Sequence, residues 1–211
     1  MLETAPYLEQ KARWPARGRQ ILAQYDDETI IVYQAYNAEI GRYAAEHGRF
    51  GGGFSYHRMS WIKPNFLWMM YRSGWGTKPD QEVTLALRIR RRFFENLLAQ
   101  AVYSTYVPSE GSREEWRRAV GRSSVRLQWD PDHSPAGGKL ERRAIQLGLR
   151  GEMLEAFGMR ELVEVIDLSD FVAAQRPCVT ERRLQALITP VERVYVPADR
   201  AVCQRLGLEL A

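Results

Sequence analysis

The chain has 211 residues, enough to bury a substantial core and within the range of one domain. Hydrophobic residues at 45% and charged residues at 27% exclude an intrinsically disordered chain, and no apolar run approaches the about 18 residues of a membrane span. The formal charge of +4 rests on arginine, with lysine only at positions 11, 63, 78 and 139, which points to a phosphate-bearing partner or to a GC-rich coding bias.

The opening Met1-Leu2-Glu3-Thr4-Ala5-Pro6 lacks the basic-then-apolar pattern of a secretory leader, so a cytoplasmic location without a membrane partner is expected. Residues 1–24 read as a polar, irregular segment with basic Arg13, Arg17 and Arg19, draped over one domain spanning 25–211. Thr29 to Tyr36 is β-branched and aromatic, a strand. Asn37 then caps a helix that runs to His47 and stops at Gly48. Arg49 to Ser60 holds three consecutive glycines and is expected to be irregular. Pro64 suits the first turn of a helix reading on to Ser73 and stopping at Gly74.

Val83 to Arg90 alternates apolar and polar residues as a half-buried strand does, and Arg92 to Val102 follows as a helix. A short helix is expected around Glu114 to Val120, then a strand at Val125 to Trp129 and a turn-rich segment from Asp130 to Gly138. The spacing predicts helices over Leu140 to Leu147 and Glu152 to Phe157, and a strand at Leu162 to Leu168. Ser169 caps a short helix, Thr180 begins another, Arg193 to Val196 is a late strand, and a helix from Ala198 to Leu206 closes the chain. Strands and helices mix without a βαβ rhythm, so the fold class is α+β: a mixed or mainly antiparallel sheet with surrounding helices.

Four constellations can carry chemistry. Trp61, Trp68 and Trp75 recur every seventh residue, with Arg72 within reach of the latter two rings and Lys63 beside a predicted helix N-terminus. This reads either as a phosphate seat beside an aromatic platform or as a core helix filled by Trp and Met. The glycine loop, with Gly52 and Ser55 flanked by Arg49 and Arg58, allows close backbone approach to a ligand or forms a plain turn; it matches neither GxxxxGK[ST] nor GxGxxG. Asp130, Asp132 and His133 suit acid–base or divalent-metal chemistry, or an Asx turn around Pro131, and no metal is assigned. Arg142, Arg143 and Gln146 share a face on the predicted helix, able to hold a polar ligand or to meet solvent. The arginines at 88, 90, 91 and 92 suit a nucleic-acid backbone or the blunting of a sheet edge. Cys178 and Cys203 lie outside any CxxC spacing, which argues against a disulfide framework or a cysteine zinc site.

Taken together, VYQAYN (32–37), YAAEHGRFGGGFSYHRMSWIKPNFLWMMYRSGWGTK (43–78), LQWDPDH (127–133) and RRAIQLGLRG (142–151) resemble the family called domain of unknown function 4291, from about Tyr25 to Leu206. A looser likeness is to the ADP-ribosyltransferase arrangement, in which a polar first-strand residue and aromatics hold NAD and a late Glu orients the ribose. That likeness implies the first role for Gln34 or Tyr33 and the stacking role for Tyr43 or Tyr71; Tyr36, on the same strand, is a further expected ligand contact. The likeness places Gln146 where the late Glu belongs, and no His or Arg stands on the strand. The expectation is a nucleotide-binding, transferase-like domain acting on NAD or a nucleic-acid end. Gln34, Gln146, Asp130 and His133 are the expected catalytic set. Lys63, Arg72, Arg49 and Arg58 would meet phosphates, and Trp68 or Trp75 would stack on a base. A non-enzymatic nucleic-acid binder and a structural or partner-binding domain are the alternatives.

Overall fold

The structure is a computed structural model, which describes residues 2–209. In chain order the elements are β1 (Thr4–Pro6), α1 (Tyr7–Lys11), β2 (Gly18–Arg19), β3 (Ile21–Ala23), β4 (Thr29–Tyr36), α2 (Ala38–His47) and β5 (Ser60–Ile62). Then come α3 (Phe66–Ser73), β6 (Val83–Arg90), α4 (Arg91–Gln100), β7 (Val102–Tyr103), α5 (Arg113–Arg122), β8 (Val125–His133) and β9 (Lys139–Leu149). The last part holds α6 (Gly151–Ala156), β10 (Leu162–Asp167), α7 (Ser169–Thr180), β11 (Ile188–Pro190), β12 (Arg193–Tyr195) and α8 (Arg200–Leu206).

Two mainly antiparallel sheets organise the molecule as an α+β fold. One has the order β10-β6-β4; the other runs β2-β9-β8-β7, with β5 added against β9. The pairs β1–β11 and β3–β12 bind the N-terminal segment to the late chain. The two-residue period of a strand explains the layers. Ile30 and Val32 of β4 join Leu85, Leu87 and Leu127 in the main apolar cluster, while Ile31 and Tyr33 face a second cluster built on Phe66, Met69 and Met70 of α3. Among the described residues no helix is long and apolar enough to cross a membrane.

The strand–helix unit at β4 and α2 forms as read. Asn37 caps α2 by accepting from the Ile40 N–H at 3.0 Å, and Gly48 ends it at φ +64°. Other expectations are corrected. Residues 139–149 are a strand, not a helix, because Gly137 and Gly138 close a hairpin that pairs β9 with β8. Helix α7 runs through Pro177 and ends at Thr180 rather than beginning there. Residues 2–24, expected to be irregular, contribute β1, α1, β2 and β3, and Tyr7, Ile21 and Leu22 are buried. Strand β6, read as a basic edge, is the centre of its sheet, and its arginines are paired: Arg88 with Glu164 at 2.9 Å and Arg90 with Glu161 at 3.5 Å.

Candidate functional site

Strand β4, strand β5, helix α3 and the face of the second sheet turned away from the main apolar cluster converge on a cavity of about 410 Å³. Its chemistry comes from Gln34, Ser60, Lys63, Arg72, Gln128 and Gln146. Each arrives by a simple local rule. Gln34 lies two residues beyond Val32 on β4, where the row leaves the apolar cluster. Lys63 follows β5, and its backbone pairs with Tyr33 through N–H···O bonds of 2.7 and 3.2 Å. Gln128 and Gln146 are directly opposed in the β8–β9 register, so both side chains leave the same face.

The amides are held in one orientation. Gln34 donates its Nε2 to Ser60 Oγ at 2.7 Å and to the Trp61 carbonyl at 3.0 Å; a carbonyl only accepts, so the nitrogen must face it. The opposite atom, Gln34 Oε1, is therefore turned away, buried and without a hydrogen-bond partner. Asp130 acts similarly on the far wall. It accepts from Gln128 Nε2 at 2.8 Å and from Gln146 Nε2 at 2.7 Å, which leaves the Gln146 oxygen as an acceptor. Tyr36 Oη lies 2.7 Å from Ser60 Oγ.

Two cations complete the site. Lys63 is 5% exposed, and its Nζ makes one long contact, 3.5 Å to the Trp61 carbonyl. Burial, and secondarily the Arg72 charge, lower its pKa to about 8, while Asp130 opposes the shift. Arg72 is exposed at the mouth, its guanidinium without an acidic partner among the described residues. The arrangement gathers two cations and the acceptor oxygens of Gln34 and Gln146 around one cavity.

Of the residues expected from sequence, Gln34, Tyr36, Lys63, Arg72 and Gln146 meet here. Arg58 and Ser55 line an adjacent cavity. The others do not converge. Tyr33 is fully buried against Phe66. Trp68 is 6% exposed and Trp75 7%, and the Trp75 Nε1 donates to the Pro135 carbonyl at 2.9 Å, so neither indole is a platform for a base. His133 is buried with its ring stacked on Tyr71, 3.5 Å between centroids, and its pKa is lowered by burial. Its ring lines neither cavity. Asp130 accepts from two glutamine amides and lines neither cavity itself. Asp132 pairs with Arg142 at 2.6 Å, and among the described residues no group of three His, Cys, Asp or Glu side chains can hold a metal.

Arg143 and Arg49 are exposed and line neither cavity. Gly52, at φ +56°, does not line either cavity; with Gly51 it lies under the Tyr43 ring, which a side chain at 51 would strike at 2.6 Å. Nor is the N-terminus of α3 an open phosphate seat. Asn65, not Pro64, begins that helix, accepting from the Trp68 N–H at 2.6 Å, and the carboxylate of Glu192 takes the Phe66 N–H at 2.6 Å. Sequence reasoning missed Ser60, Gln81 and Gln128. Reading Gly137-Gly138 as a hairpin turn would have opposed Gln128 to Gln146 and found one of them.

The residues of this site lie within the matched region: residues 20–195 match the family described as Domain of unknown function (DUF4291), and the chain belongs to that family. No curated protein matches it.

Proposed function

From this family member's cavity we propose a binding site for a nucleotide-class ligand, NAD or the end of a nucleic-acid strand, in a domain of transferase type. The supporting observation is the pairing of Lys63 and Arg72 with the unpartnered Gln34 carbonyl in one cavity. Cations call for an anion, and an orphaned buried acceptor calls for a donor. A phosphate that carries a hydroxylated sugar supplies both. In this reading the phosphate meets Lys63 and Arg72, and sugar hydroxyls donate to Gln34 and Gln146. Gln146, its nitrogen fixed by Asp130, offers the acceptor oxygen that a glutamate would offer, without the charge. Transfer on such a ligand draws on the same cations, since charge gathering on phosphate oxygens is stabilised by fixed positive groups.

A thermal-shift series tests this. ADP, AMP and NAD raise the melting temperature more than adenosine does, and Lys63→Ala and Arg72→Ala reduce the gain. Equal stabilisation by adenosine, or undiminished gains in both variants, contradicts the reading.

A specific observation favours the nucleic-acid form of the ligand. Arg126 projects from the same face of β8 as Gln128, is 9% exposed beside Arg150, and its Nη1 is buried without a partner. A further phosphate would satisfy it. Binding of an oligonucleotide end then weakens with salt more steeply than binding of AMP, and Arg126→Ala lowers that slope by about one.

A further inference from the structure

A second cavity, of about 450 Å³, adjoins the first. Tyr36, Met59 and Ser60 line both, and the adjacent residues Asp80 and Gln81 line one each. The two chambers therefore share a wall. Their linings differ. The first is built from amides and cations, whereas Ile40, Phe54 and Met59 give the second an apolar floor beside the Tyr36 ring. Phe54 is held there by edge contacts with Tyr36, at 5.8 Å, and with Tyr56, at 4.8 Å.

Polar groups ring that floor. Asn37 spends its oxygen on the cap of α2, so its Nδ2 remains a donor. The Asp80 carboxylate has no partner among the described residues, and its backbone sits in the left-handed region at φ +62°. Arg58 stands exposed at the rim. Apolar faces with polar edges describe a flat heteroaromatic ring, and chambers of this size suit small ligands.

We propose that the second chamber receives the base of the ligand whose phosphate the first chamber holds, with the sugar crossing the ridge of Tyr36, Met59 and Ser60. The proposal rests on the phosphate reading of the first chamber. The ridge is suited to a sugar. Ser60 Oγ accepts from Gln34 and shares one hydrogen bond with Tyr36 Oη, so whichever hydroxyl donates, the other keeps a proton for a ligand oxygen.

Calorimetric titration of ribose 5-phosphate, AMP, GMP and nicotinamide mononucleotide tests the assignment. The wild-type chain binds at least one of the base-bearing compounds about tenfold or more tighter than ribose 5-phosphate. Ser55→Trp, at an exposed position lining the second chamber, removes that preference and leaves ribose 5-phosphate within about twofold of its wild-type affinity. Asp80→Asn, which keeps a residue tolerant of left-handed backbone, decides the matter should the tryptophan variant fail to fold: the order of preference among bases changes. Equal affinity for ribose phosphate and all base-bearing ligands overturns the second-chamber assignment alone, as does a preference unmoved by both variants. Failure of every phosphorylated compound to bind overturns the first-chamber reading, and this one with it.

Discussion

Lys63 is the side chain whose burial is hardest to account for as packing. An ammonium enclosed by protein, with one contact at 3.5 Å, loses hydration that no partner restores. Its pKa near 8 lies below the 10.5 of a free lysine, so between these values the unfolded chain holds the proton more tightly and folding stability rises with pH. The gap corresponds to about 3 kcal/mol. Denaturation of the wild type and of Lys63→Met from pH 7 to 10.5 shows the wild type gaining on the variant above about pH 8; parallel curves contradict the assignment. Ligand binding runs the other way. Anion affinity falls as pH rises through about 8, and this fall disappears in the methionine variant.

Of the tryptophans spaced every seventh residue, only Trp68 lies on α3, a core helix whose last turn supplies Arg72. Its start is fixed by Asn65 and by Glu192, which approaches from a residue more than a hundred positions away. Burial raises the Glu192 pKa well above the usual carboxylate range, while the Phe66 N–H bond opposes that rise. Glu192→Ala strips partners from Phe66 N–H and Asn65 and costs about 2–3 kcal/mol, whereas Glu192→Gln, which retains an acceptor, costs less. Urea midpoints of the two variants separate these outcomes; equal losses contradict the role.

The same element marks how far the sequence could be read. Strand β4, the caps of α2 and strand β6 were legible because their signals are local: β-branched runs, Asn and Gly at termini, and alternation. The closing of the α3 N-terminus by Glu192 was not, since a partner that distant leaves no periodicity. The β9 run was misread for a related reason. RRAIQL fits either period over six residues, and only the glycine turn before it decides between them. Gln34, Lys63, Arg72 and Gln146 were found as residue types, while their convergence awaited the register of two sheets.

Across the whole molecule, the N-terminal segment locks the second sheet from outside. Arg142 on β9 pairs with Asp132 at 2.6 Å, donates to the Pro15 carbonyl at 2.5 Å, and lies over the Trp14 ring. Both members of the pair are buried, so removing one leaves an uncompensated charge. Asp132→Ala costs about 3–5 kcal/mol in equilibrium denaturation, and a loss below about 1 kcal/mol contradicts this role. The lock bears on function because β9 carries Gln146 and pairs with β5, which precedes Lys63. Both walls of the cavity thus depend on one strand. A crystal structure of the chain with the nucleotide that stabilises it most is the decisive measurement. Phosphate oxygens are expected at hydrogen-bond distance from Lys63 Nζ and Arg72, with a ligand hydroxyl donating to Gln34 Oε1; a nucleotide bound elsewhere on the surface, with Gln34 Oε1 still unpartnered, contradicts the proposed site.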